Sequence, residues 1–162
     1  MKSATKMAVS IRYRFTQKFA VSAKAAFDWC TSFDPGDHAL TGDKAERQVT
    51  QIANGSILLK DTFHTATGTV EKQKLVQLYP EQLRWTSTHF SGPNVYSQFL
   101  YVITQKGKNS SVLEFIALHI ERNDKIDAEQ LSKSLCKEDA GVWVLLAAAM
   151  EKELKPKSIK KK

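Results

Sequence analysis

The sequence predicts an α+β domain: a curved, antiparallel seven-stranded sheet wrapped around a long C-terminal helix, with two short helices after the first strand. Three observations carry that expectation. Residues 9–15 alternate apolar and polar side chains, residues 46–122 run as strand after strand between turn signals, and residues from 128 onward switch to helical spacing. Connections this short suit antiparallel neighbours, and the sheet must curl if its concave face is to cover an apolar helix.

In Val9-Ser10-Ile11-Arg12-Tyr13-Arg14-Phe15 the period of two places Ile11, Tyr13 and Phe15 on one face of the first strand. Ser22 is a plausible N-cap for a short helix over 23–30, where the alanines favour helix and Phe27 meets Cys30 one turn on. Asp34 before Pro35 cannot easily stay helical, so a second short turn is expected through Ala39 and Leu40, closed by Gly42. Six further strands are expected at 46–52, 56–65, 69–78, 82–90, 95–105 and 111–122. They are divided by Asn54-Gly55, Gly68, Tyr79-Pro80, Gly92-Pro93-Asn94 and Lys106-Gly107-Lys108-Asn109. Asp127 is positioned to cap the last helix, whose apolar residues recur at Leu131, Leu135, Val142, Leu146 and Met150. Between Val142 and Met150 apolar residues surround the helix, so that half is expected to be buried on several sides.

A chain of 162 residues fits one domain at 9–154, with a flexible N-terminus at 1–8 and a flexible basic tail at 155–162. The net charge of +7 raises the question of nucleic acid, but the tail holds five of the 24 basic residues. The remainder carries 19 basic against 17 acidic residues, so nucleic acid is not the expected partner. Weak contact of the tail with acidic surfaces stays open. The longest apolar run, Val142 to Met150, is far too short to span a bilayer, and no secretory leader is evident. A cytoplasmic protein that is not integral to a membrane is expected. Cys30 and Cys136 fit no metal or redox pattern and read as two buried free thiols.

The segment Phe19-Ala20-Val21-Ser22-Ala23-Lys24-Ala25-Ala26-Phe27-Asp28-Trp29, the element order over about 9–154 and the terminal helix together resemble the superfamily of START lipid-transfer domains and birch-pollen-allergen-like proteins (SRPBCC). Within it the resemblance is nearest the polyketide cyclase/dehydrase-like proteins. It implies a helix-grip fold with an apolar cavity between sheet and helix. It does not imply a substrate, because that superfamily holds carriers, receptors, cyclases and other activities.

Ligand contacts are expected from the inward faces. On 82–90 that face is Leu83, Trp85, Ser87 and His89, and on 95–105 it is Ser97, Phe99, Tyr101 and Ile103. On 111–122 either Leu113, Phe115, Ala117 and His119 or Val112, Glu114, Ile116, Leu118 and Ile120 face inward. If the second set does, Glu114 is a lone carboxyl in an apolar row and a candidate acid or base; a solvent-facing glutamate is the plainer alternative. His89, Tyr101 and Glu114 are the weak catalytic candidates. Trp85, Ser87, His89, Phe99, Tyr101, Phe115, His119, Trp143, Leu146 and Met150 are the expected ligand-binding residues; Trp85, Phe99 and Tyr101 are as readily explained by packing, Trp143 and Met150 more readily so, and for His89 and His119 a satisfied or surface histidine is the plainer alternative. The four histidines lack ligand spacing, no nucleotide-binding or paired-cysteine motif occurs, and neither metal nor cofactor is expected. Asp34, Asp37, Asp43 and Asp61 suggest no carboxylate pair.

Three functions follow. The first is a carrier or sensor of a small hydrophobic molecule, such as a lipid, polyketide or isoprenoid-like compound. The second is a cyclase- or dehydratase-like enzyme working without metal, in which a cavity group moves a proton. The third is an interaction module whose core is filled by its own side chains.

Overall fold

In the computed structural model, which describes residues 7–155, β1 (Val9–Phe19) keeps the expected alternation along its whole length, with Ile11, Tyr13 and Phe19 buried. The strand runs past Phe15 because its second half continues the antiparallel register with β7 (Ser110–Glu121), down to Phe19 opposite Ser111. Ser22 caps α1 (Ala23–Cys30), accepting a hydrogen bond from the Ala25 amide at 3.3 Å. The short α2 (Asp37–Leu40) follows, and Gly42 takes the left-handed conformation after it.

The chain then meanders through β2 (Ala45–Ala53), β3 (Ser56–Thr65), β4 (Gly68–Tyr79), β5 (Arg84–Ser91), β6 (Gln98–Gly107) and β7. All seven strands form one antiparallel sheet in the order β1-β7-β6-β5-β4-β3-β2. Register shifts between Gln51 and Ala53, Gln73 and Lys74, and Gln105 and Gly107 insert extra residues, and each bends its strand.

Two strands start later than their sequence suggests. Pro80–Gln82 form a 3-10 turn and Leu83 adopts φ 49°, so β5 begins only at Arg84. Residues 92–97 form a tight loop before β6, in which Gly92 has φ 90° and a side chain there would strike the Glu71 carbonyl at 2.5 Å. Ser97 is fully buried at the loop's end, its hydroxyl accepting from the Ile120 amide.

Asp127 caps α3 (Ala128–Leu154) by accepting from the Glu129 and Gln130 amides. The helix lies on the concave face, with Leu131, Leu135 and Trp143 against the β1–β7 side and Ala147 and Met150 in the main core beside Phe19 and Phe27. Burial of Val142–Met150 on several sides does not occur: Val144 and Leu145 are half exposed on the outer face. The sheet covers only one side of α3, and the short helices do not reach around it. Cys30 and Cys136 are free thiols but half-buried rather than buried. Most of the expected flexible N-terminus and all of the tail beyond Lys155 lie outside the described residues.

Candidate functional site

The antiparallel register sorts the concave face into rows. The outermost is Arg47–Asp61–Lys72, across β2, β3 and β4. Next is Leu59–Lys74–His89, then Ile57–Val76–Ser87–Phe99–Ala117–Tyr13, then Leu78–Trp85–Tyr101–Phe115–Phe15. Side chains opposite each other in such a ladder stand about 5 Å apart on one face, so charge is gathered at one end and aromatic surface at the other. Between these rows, α3 and the segment bearing α1 and α2 lies a cavity of about 340 Å³.

Its floor is aromatic. Trp85 and Tyr101 stack with ring centres 4.6 Å apart and planes within 3°, Phe115 meets Tyr101 edge-on at 5.1 Å, and Phe27 meets Trp85 edge-on at 5.9 Å. Val142, Trp143 and Leu146 of α3 form the facing wall, and Trp29, Cys30 and Phe33 close one side.

The other end is ionic. Arg47 grips Asp61 with two bonds, Nε at 2.7 Å and Nη2 at 3.1 Å, both side chains almost fully buried. His38 Nε2 lies 3.2 Å from Asp61, Asp37 lies 3.6 Å from Arg47, and Lys74 Nζ lies 3.8 Å from Asp61. Burial alone pushes the Asp61 carboxyl up, but the close contact of His38, the Arg47 hydrogen bonds and the positive charges of Lys74 and Arg47 win and hold it well below the carboxylate range. Burial pushes Lys74 down to about 8, with Asp61 opposing and Arg47 and Lys72 reinforcing. Burial and then the nearby Lys74 and Lys72 charges depress His89 to about 3, so its imidazole is neutral. Its Nδ1 is buried without a hydrogen-bond partner.

A second polar pair lies where α3 meets β1. The Tyr13 hydroxyl donates to Asp139 Oδ2 at 2.5 Å, and Asp139 lines the cavity. Burial raises the Asp139 carboxyl despite the opposing effect of that hydrogen bond, and burial raises the phenols of Tyr13 and Tyr101.

No family model and no curated protein sequence matches the chain. Solved structures do. A START superfamily protein from Mycobacterium smegmatis superposes with a TM-score of 0.71 at 15% identity, covering 88% of this chain and 98% of that one. The Zhui aromatase/cyclase from Streptomyces gives 0.69 at 11% identity over 90% and 93%. Ara h 8.0201 gives 0.68 at 10% identity over 88% and 98%. The chain has the helix-grip fold of the START and birch-pollen-allergen-like superfamily. At these identities the likeness extends to the fold and no further.

The helix grip brings together on the cavity wall Trp85, His89, Phe99, Tyr101, Phe115, Trp143 and Leu146 from the sequence-derived set. Ser87 is on the same face but sealed beneath it, and its hydroxyl has no partner. Met150 is fully buried in the core, away from the cavity, and His119 sits near the end of β7, 3.7 Å from Glu121. The face of β7 is settled as Leu113, Phe115, Ala117 and His119. Glu114 therefore lies on the outer face, paired with Arg14 at 2.8 Å, which removes it as a candidate acid or base. Its register partner Thr16 is exposed, because Phe15 and Phe115 already occupy the inner positions.

Sequence reasoning missed the ionic wall and Asp139. The expected apolar cavity, with only scattered polar side chains such as Ser87 and His89, does not include this charged end, and Asp37 and Asp61, which suggested no pair, meet at one arginine. Among the described residues no cluster of three or more histidine, cysteine or carboxylate side chains is arranged to hold a metal.

Proposed function

We propose that this protein binds a small, compact, mainly hydrophobic molecule that carries a polar group, and that it acts as a carrier or sensor of that molecule. The observation that carries the reading is the cavity: its volume of about 340 Å³ falls within the roughly 300–1,000 Å³ typical of small-molecule sites. A core filled by its own side chains, the interaction-module alternative, leaves no such space. The aromatic rows supply a broad apolar surface for a ring or branched chain, whether lipid, polyketide or isoprenoid-like. The Arg47–Asp61–Lys74–His89 end supplies charged and hydrogen-bonding groups for the polar group.

The fold is consistent with this reading, since its structural neighbours include proteins named as a START superfamily protein and as an aromatase/cyclase. All three tryptophans, Trp29, Trp85 and Trp143, line the cavity. Intrinsic fluorescence is therefore a reporter confined to the site. Titration with a panel of aromatic and isoprenoid compounds is expected to give saturable quenching or a spectral shift, and a flat response across the panel argues against the reading.

A second reading, proton transfer on the bound molecule, is favoured by the Tyr13–Asp139 pair, a raised carboxyl with a hydrogen-bonded phenol at the cavity wall. One neighbour is named as an aromatase/cyclase, which is consistent with it. Conversion of a bound polyketide, lost in Asp139→Asn with binding retained, is the outcome that selects this reading over the carrier.

A further inference from the structure

We propose that Lys74 captures an aldehyde or ketone guest covalently, its amine forming an imine with the carbonyl carbon inside the cavity. The inference rests on the cavity being a ligand site, as argued above.

Register places the lysine there. Lys74 stands opposite Leu59 of β3 and His89 of β5, on the concave face, and its side chain lines the cavity. The carboxylate beside it is already engaged. Arg47 holds both oxygens of Asp61 at 2.7 and 3.1 Å, whereas Lys74 Nζ stands off at 3.8 Å, beyond hydrogen-bond length. The ammonium is thus half-buried, its side chain 22% exposed, with a loose counter-ion and two neighbouring cations.

The groups facing it are Asp61 of β3, Arg47 of β2, Lys72 of β4 and His89 of β5, with Asp37 and His38 of α2 behind Arg47 and Asp61. Their balance with burial leaves Lys74 at about 8. At neutral pH about one amine in ten is then unprotonated, several hundredfold more than for a lysine at its ordinary value. That free amine is the nucleophile imine chemistry needs.

The step balances without an outside reagent. The Nζ lone pair adds to the carbonyl carbon and the C=O π pair moves to oxygen. Nitrogen releases a proton and oxygen gains one, giving a carbinolamine. Loss of its hydroxyl as water, with the second nitrogen proton, forms C=N, and hydrolysis reverses the sequence. The proton passes from nitrogen to oxygen within the adduct itself, and His89, directly across the strand pair and held neutral, adds no competing positive charge beside the amine.

The test uses the full chain, benzaldehyde as probe and sodium cyanoborohydride to reduce the imine, followed by intact mass and peptide mapping. The expected result is one dominant benzyl adduct, mapped to Lys74, forming at least about tenfold faster than at any other lysine. It disappears in Lys74→Arg and is suppressed by excess benzyl alcohol. Labelling spread over many lysines with Lys74 no faster, or an unchanged dominant adduct in Lys74→Arg, overturns the proposal. Tryptophan fluorescence with benzyl alcohol, which has no carbonyl, separates the two readings. Binding of the alcohol without any adduct defeats the imine and leaves the ligand site standing, while neither binding nor adduct defeats both. Mapping on the native chain keeps the outcome readable if Lys74→Arg does not fold.

Discussion

Arg47 of β2 and Asp61 of β3 stand opposite each other on the concave face and lock a buried, two-bond ion pair into the cavity wall. Asp37, His38 and Lys74 gather around that pair, so it organises the polar end of the site.

Arg47→Met leaves the Asp61 carboxylate buried without its fork of donors and is expected to cost about 3–5 kcal/mol in urea unfolding. Pairing it with Asp61→Leu, which removes the stranded charge, restores most of that loss. A single variant within about 1 kcal/mol of the parent contradicts the buried-pair account.

His89 makes stability depend on pH in a defined direction. Its folded value is depressed from 6.5 to about 3, so below pH 6.5 the unfolded chain takes up a proton that the folded chain refuses. Stability therefore falls as pH drops through this window, by about 2 kcal/mol between pH 6.5 and about pH 5. Denaturant midpoints measured across that range are expected to show the slope in the parent and a shallower one in His89→Gln.

Tyr13→Phe removes the hydrogen bond that favours the charged form of Asp139. The Asp139 carboxyl, already raised, is expected to rise further, and stability near neutral pH to fall by about 1.5–3 kcal/mol. Carbon-13 NMR titration of the Asp139 carboxyl reads the first effect, and an unmoved titration curve counts against the pair.

Trp85→Ala deletes the ring that stacks on Tyr101 and opens the cavity floor. A stability loss of about 3–5 kcal/mol is expected, together with weaker binding of aromatic guests. Glu114→Gln, by contrast, breaks only a solvent-facing ion pair and should change stability by less than about 1 kcal/mol and binding not at all. A large binding defect in Glu114→Gln contradicts the assignment of the inner face of β7.

Particular residues show what was readable beforehand. The alternation of Ile11, Tyr13 and Phe15, the Ser22 and Asp127 caps and the Asn54-Gly55 turn are local signals, and each forms as expected. The Trp85–Ser87–His89 face was readable because its opposite face is polar. On β7 both faces are apolar apart from Glu114 and His119, and only register against β1, with Phe15 opposite Phe115 and Tyr13 opposite Ala117, decides between them. The ionic wall was hidden for a related reason. Arg47, Asp61, Lys72 and Lys74 lie on three strands where charge occurs on both faces, and a charge by itself reads as solvent-facing. Extending the Asn54-Gly55 hairpin back without interruption pairs Gln48 with Asp61; the register shift between Gln51 and Ala53 is what brings Arg47 opposite it, and nothing in the sequence marks that shift. Asp139 lies on the inner stripe of α3 between Leu135 and Val142, but its polarity took it out of the apolar pattern.

The most direct test of the central claim is native mass spectrometry of the protein purified from a rich extract, followed by organic extraction. A discrete added mass that vanishes on extraction is the predicted result. A bare protein mass that stays bare after incubation with fatty acids, sterols, quinones, isoprenoids and aromatic polyketides would contradict it.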